Sequence, residues 1–109
     1  MTTKSSFEDG ILTLRLEGEL DHHAARGTVR ELERAIDRYM PQSCVLDLEA
    51  LTFMDSSGIA VILKAFRRVG EIAAELRVIG VRAQPLKVLA AAGLERIINI
   101  EAWAKELYI

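Results

Sequence analysis

A chain of 109 residues, half of them hydrophobic and 28% charged, is expected to form one domain with a core of its own. Its net charge of −2 gives no general attraction to nucleic acid or to acidic membranes. The single cysteine, Cys44, has no partner within the chain and suits a reducing compartment; one cysteine and two adjacent histidines do not make a structural zinc site. No apolar run approaches membrane-spanning length, and the N-terminus lacks the basic and apolar regions of a signal peptide, so a cytoplasmic location is expected.

Residues 1–5 are polar and expected to be loose. Asp9-Gly10 is a tight-turn pair, and Leu12, Leu14 and Leu16 alternate with Thr13, Arg15 and Glu17 as a half-buried strand does. A short strand around Phe7 is expected to pair antiparallel with it. The strand ends at Gly18-Glu19-Leu20-Asp21, where Asp21 suits an N-cap. Ala25, Val29, Leu32 and Ile36 then mark the inner face of a helix ending near Met40-Pro41.

Cys44 to Leu48 forms the next strand, with Leu46 and Leu48 on one face and Val45 and Asp47 on the other. From Ile59 the period changes from two to 3.6: Ile59, Ile62, Leu63, Phe66 and Val69 fall on one side of a helix. Between strand and helix lies Met54-Asp55-Ser56-Ser57-Gly58, two hydroxyls and a carboxylate at a helix N-terminus. Unpaired N–H groups and a partial positive charge there can hold an anion, a serine's own phosphate included. Leu76 to Gly80 forms another strand, and Pro85 opens a short helix carrying Leu86, Leu89 and Ala90, with Gly93 past its end. Ile97 to Ile100 forms a last strand, and Glu101 to Tyr108 a closing helix with Trp103 and Leu107 packed inward.

Two strands followed by alternating helix and strand predict an α/β fold with right-handed crossovers. The sheet is expected to be mostly parallel, of four to five strands with the first antiparallel, together with about four helices. Polar residues alternating along the strands leave one sheet face less covered than in a doubly wound fold.

Two segments, Gly18-Glu19-Leu20-Asp21-His22-His23 and Leu51-Thr52-Phe53-Met54-Asp55-Ser56-Ser57-Gly58, resemble the signature loops of anti-sigma factor antagonists of the STAS class. The likeness continues through Ile59-Ala60-Val61-Ile62-Leu63 and Ala92-Gly93-Leu94-Glu95-Arg96-Ile97-Ile98, and it points to the sporulation branch that serves sigma factor F. It implies a single STAS domain over residues 1–109, singly wound, with parallel strands added in sequence and helices mainly on one face. It also implies phosphorylation at Ser56 and a partner-binding surface of Asp21, His22, His23, Asp55, Ser56, Ser57, Gly58 and Ile59. The implied partners are an ATP-bound anti-sigma factor serine kinase and a PP2C-type phosphatase. The antagonist itself is expected to be a monomer with no catalytic residue, cofactor or metal. Sporulation proteins usually carry Gly-Leu-Gly after the serines, whereas Gly58-Ile59-Ala60 stands here; alanine is the better helix former and should not harm the site.

Taken without the resemblance, Ser56, Ser57 and Asp21 read most simply as helix caps. His22 and His23 are sequence neighbours that diverge on a helix, against a metal pair. Arg26, Arg30, Arg34 and Arg38 recur every four residues, most simply as a solvated face with Glu33 and Asp37 as partners for some of them; a surface for an acidic partner is the lesser alternative. Three other functions compete. A STAS module could serve an ABC-type ATPase or a stress-response complex. A hydrolase would use Ser56 or Ser57 as nucleophile, but the Gly-x-Ser-x-Gly elbow is absent. A receiver domain would need an acidic pocket at strand ends, and Asp47 is expected inside its strand.

Overall fold

The structure, a computed structural model, describes residues 1–104 of the chain. The closing helix expected over Glu101 to Tyr108 falls largely outside them, with Leu107 and Tyr108. Its first two residues, Glu101 and Ala102, belong instead to a strand.

Two strands open the fold, β1 (Thr2–Glu8) and β2 (Ile11–Leu20), joined by Asp9 and Gly10 at φ values of 51° and 80°. Two consecutive left-handed residues give the hairpin turn whose twist matches its strands. Residues 2–5, expected to be loose, pair with β2 from Thr2↔Glu17 through Ser5↔Leu14. Their polar composition marked an edge strand rather than disorder: one side is hydrogen-bonded and the other faces solvent.

Helix α1 (His22–Tyr39) follows, ending at Met40 in the left-handed region just before Pro41. Next come β3 (Ser43–Asp47), β4 (Leu51–Met54) and α2 (Ser57–Glu71). After β5 (Glu75–Val81) come α3 (Ala83–Ala91), a 3₁₀ turn (Leu94–Arg96) and β6 (Asn99–Ala102). The strand order is β1-β2-β3-β5-β6, with β4 also on β2, and every pairing except β1–β2 is parallel. The expected α/β fold, mostly parallel with an antiparallel first strand, is the one observed, with six strands and three α-helices among the described residues.

The extra strand, β4, matters most for the site. β2 is long enough to pair twice along its length: Ile11 to Arg15 pair with β3, and Gly18 to Leu20 pair with β4, with an irregularity at Gly18/Glu19. The serine turn therefore follows β4, not the strand of Cys44 to Leu48. Asp47 is the last residue of β3 rather than interior to it; its carboxylate accepts from Arg15 Nη1 (3.4 Å) and the Glu49 amide (3.0 Å).

Leu12, Leu14 and Leu16 of β2, Leu46 of β3 and Val78 of β5 form the fully buried sheet face under α1 and α2. Each such side chain contributes about 1.5–3 kcal/mol by leaving water. The opposite face is half-exposed and charged, with Arg15 between Glu17 and Asp47. Cys44 is buried in the core, which pushes its thiol pKa up to about 12 and keeps it a thiol.

Both long helices sit rotated from expectation. In α2 the buried residues are Gly58, Val61, Ile62, Ala65 and Val69, while Ile59, Leu63 and Phe66 are half-buried. Small residues let the helix approach the sheet closely, and the larger ones fill the flanks. In α1, Thr28 is buried with Leu32 and Ile36 because its hydroxyl donates to the Ala24 carbonyl (2.9 Å). Arg68 of α2 donates two hydrogen bonds to Asp37 of α1 (2.9 and 2.6 Å), tying the helices at their far ends. Among the described residues no helix is long and apolar enough to cross a membrane.

Candidate functional site

Parallel pairing of β2 and β4 sets Leu20 opposite Met54. The residues that leave these two strands, Asp21 and Asp55, consequently start their loops side by side at one sheet edge. Asp55 joins the loops: its amide donates to the Leu20 carbonyl (3.2 Å), and its carboxylate accepts from the His22 amide (3.0 Å) and the Ser57 amide (2.8 Å). One carboxylate thus meets the first amides of both α1 and α2, where helix dipoles favour negative charge.

This reverses the simplest reading of the serines. Asp55, not Ser56 or Ser57, supplies the cap of α2, and Ser56 makes no side-chain capping bond. Ser56 is exposed, with helical dihedrals of −62° and −20°. Its hydroxyl has no hydrogen-bond partner among the described residues, so it is open to an incoming group. Ser57 is half-buried and faces a groove between α1 and α2. Asp21 does cap α1, accepting from the Ala24 amide at 3.0 Å. His22 and His23 are exposed, their rings edge-on with centroids 5.7 Å apart.

The sequence-derived surface is therefore brought together, with one exception. Gly58 is buried: a Cβ there would lie 2.4 Å from Cγ and 2.8 Å from Sδ of Met54, itself fully buried. It lets α2 start directly above β4. Ile59 is half-buried on the flank.

Two supports were not legible beforehand. Gln84, at the start of α3, accepts from the Met54 amide with Oε1 and donates to the Met54 carbonyl with Nε2, both at 2.8 Å. Its amide thus acts as one further strand position on the free side of β4. β4 itself was hidden within a loop, although Leu51-Thr52-Phe53-Met54 has the apolar and β-branched content of a short strand.

Burial works to raise the pKa of Asp55, but the backbone bonds from Ser57 and His22, with the Ser57 hydroxyl and the His22 charge, outweigh it and lower the pKa. A carboxyl with a depressed folded pKa stabilises the fold above its unfolded value, and that stability is lost as pH falls through the folded value. The two loops are therefore expected to stay tied through neutral and mildly acidic pH. In an NMR titration the His22 and Ser57 amide resonances should move together, with a midpoint below the ordinary aspartate value of 3.8. Separate midpoints, or one above that value, would show that the carboxylate does not bridge the loops.

No histidine nitrogen is hydrogen-bonded to either serine hydroxyl among the described residues, so no nucleophile–base pair is assembled. The arrangement presents the Ser56 hydroxyl at the surface.

The STAS domain model matches residues 4–106. An anti-sigma F factor antagonist of Paenibacillus polymyxa is 37% identical over 91 residues, spanning 84% of this chain and 78% of that protein. The unphosphorylated anti-sigma factor antagonist SpoIIAA superposes with a TM-score of 0.77 at 24% identity, covering 97% of this chain and 93% of the other. The phosphorylated form of the Bacillus cell fate determinant SpoIIAA gives 0.67 at 25% identity, covering 97% and 96%. With a family model matched over nearly its whole length, and the family's fold reproduced around paired Asp21 and Asp55 loops, this chain belongs to the STAS domain family.

Proposed function

We propose that this protein is an anti-sigma factor antagonist of the sigma F type. Unphosphorylated, it binds an ATP-bound anti-sigma factor that is also a serine kinase, and so frees the sigma factor. The kinase phosphorylates Ser56, the complex separates, and a PP2C-type phosphatase restores the binding form. The protein is a cytoplasmic regulatory module, a substrate of two enzymes rather than an enzyme.

The observation that carries this reading is the Leu20↔Met54 register with its Asp55 bridge, which sets an exposed, unbonded Ser56 hydroxyl beside the Asp21-His22-His23 turn. A partner resting on that edge would touch both turns at once. The similarity to an anti-sigma F factor antagonist of Paenibacillus polymyxa supplies the partner class. Phosphate on Ser56 would bring a charge of about −1.5 to −2 next to the Asp55 carboxylate, at a helix start that tolerates an anion. The switch would then change the surface while the fold stays intact.

The test is titration of the anti-sigma kinase encoded in the same genome, with nucleotide, against unphosphorylated and phosphorylated protein. Only the unphosphorylated form should bind; equal binding by both would remove the switch. Asp21→Asn sharpens it. Asparagine caps as well as aspartate, so thermal unfolding should barely move. Loss of its charge should weaken partner binding by up to about 2–5 kcal/mol if the contact is buried, and by much less at a rim. Unchanged affinity would confine Asp21 to capping.

A further inference from the structure

Two groups among the ten arginines of this chain contrast. Arg15, Arg68 and Arg77 each meet a carboxylate, at 3.0, 2.6 and 2.5 Å. Arg26, Arg30, Arg34 and Arg38 are exposed along α1 and have no carboxylate within ion-pair distance among the described residues. Asp37, one of their expected partners, is taken by Arg68 across the helix pair, and Glu33 forms no ion pair among the described residues. A solvated face laced with pairs is therefore not what α1 presents.

A spacing of four residues advances 400° around a helix of 3.6 residues per turn, so the row winds slowly about α1. Arg26 and Arg30 line the groove between α1 and α2, whereas Arg34 and Arg38 border β1 on the other side. The groove has a volume of about 670 Å³. Half-buried Ala25 and Val29 give it a narrow apolar floor over the buried Val61, and Lys64 of α2 faces the two arginines from the opposite wall. Among the described residues Glu33 is the one carboxylate in the lining. The groove runs along both helices and ends at Ser57, one residue from the Ser56 hydroxyl.

We propose that this groove is the docking site for an acidic amphipathic helix of the anti-sigma factor kinase, with Arg26, Arg30 and Lys64 setting partner specificity. The proposal rests on the functional reading above and names the chemistry of its partner. Two parallel helix walls with an apolar floor accept a third helix by its apolar stripe, and three cations on the rims select carboxylates flanking that stripe. Docking at the Ser57 end would hold the kinase over Ser56. The same geometry couples binding to release. An acidic segment attracted by the rims is repelled by a phosphate added at their end, without any movement of the helices.

The experiment compares two charge reversals of equal net charge by stopped-flow association with the anti-sigma kinase at low salt. Arg26→Glu/Arg30→Glu alters the groove; Arg34→Glu/Arg38→Glu alters the β1 side of the same helix. These guanidinium groups make no ion pair among the described residues, and only Arg38 rests on a ring, that of Tyr39 (5.3 Å), so both variants should fold, which circular dichroism checks. The groove variant is expected to associate roughly tenfold more slowly than the parent, and the β1-side variant within about twofold. The difference should shrink as salt is raised. A groove variant that binds like the parent, or two variants equally impaired, would overturn the assignment, the second outcome showing only a long-range charge effect. If the parent chain itself binds no anti-sigma kinase in either phosphorylation state, the functional reading falls and the docking site falls with it.

Discussion

Ser56→Ala is expected to abolish phosphorylation by the anti-sigma kinase while leaving the fold and partner binding intact. Incubation with kinase and ATP, followed by mass mapping, should find the parent modified at Ser56 and the variant unmodified. The expectation of an undisturbed fold comes from the site itself. The Ser56 hydroxyl makes no capping bond, and Asp55 already holds the Ser57 amide at 2.8 Å. Removing an exposed hydroxyl of this kind should shift stability by no more than about 0.5 kcal/mol. A serine that capped α2 would instead cost roughly 0.5–2 kcal/mol on replacement. Thermal unfolding of the variant thus separates the two roles independently of any kinase. Full-rate modification of the variant would move the acceptor to Ser57 or elsewhere. Ser57 is the poorer acceptor on geometric grounds, being half-buried and turned toward the helix groove.

Gly58→Ala should have the largest effect on stability of any single methyl added at the site. The new Cβ would lie 2.4 Å from Met54 Cγ, a position no carbon contact tolerates, and Met54 is completely buried. Helix propensity favours alanine by about 1 kcal/mol, so a purely local view forecasts a more stable protein. Overpacking a filled core costs typically about 1–3 kcal/mol, and here it acts between β4 and the first turn of α2. A net loss of stability is therefore expected, read as a lower midpoint in denaturant with an unchanged slope. Because the displaced residue is Met54, whose amide and carbonyl are both held by Gln84, the strain should reach the serine turn. Slower phosphorylation at Ser56 should accompany the loss, although position 58 is itself buried. A variant as stable as the parent would mean that Met54 can repack, which its burial on all sides opposes.

Much of this protein was legible in its residues alone. The alternation of Leu12, Leu14 and Leu16, the left-handed pair Asp9-Gly10 and the helical recurrence of Leu32 and Ile36 are local signals, set by backbone sterics and by which side of an element meets water. They determine an α/β chain with an antiparallel opening hairpin, and the two loop motifs identify the family. Asp21 as a cap was equally local, since a cap bonds within three residues of itself.

What the sequence left open depends on contacts between distant residues. The strand Leu51–Met54 is four residues long and too short to show a period, and only pairing with the far end of β2 makes it a strand. Residues 2–5 carry no apolar pattern and are held by a hydrogen-bonded register with β2. The cap of α2 is local, Asp55 to the Ser57 amide, but the second bond of that carboxylate, to the His22 amide 33 residues away, exists only because β2 and β4 pair. The arginine row looked self-neutralised because Glu33 and Asp37 lie within reach on one helix, but packing of α2 beside α1 gave Asp37 to Arg68 instead. Local periodicity gives the buried face of a helix only approximately, and not which neighbour arrives there. That neighbour decided which hydroxyl stands free and which cations remain unpaired.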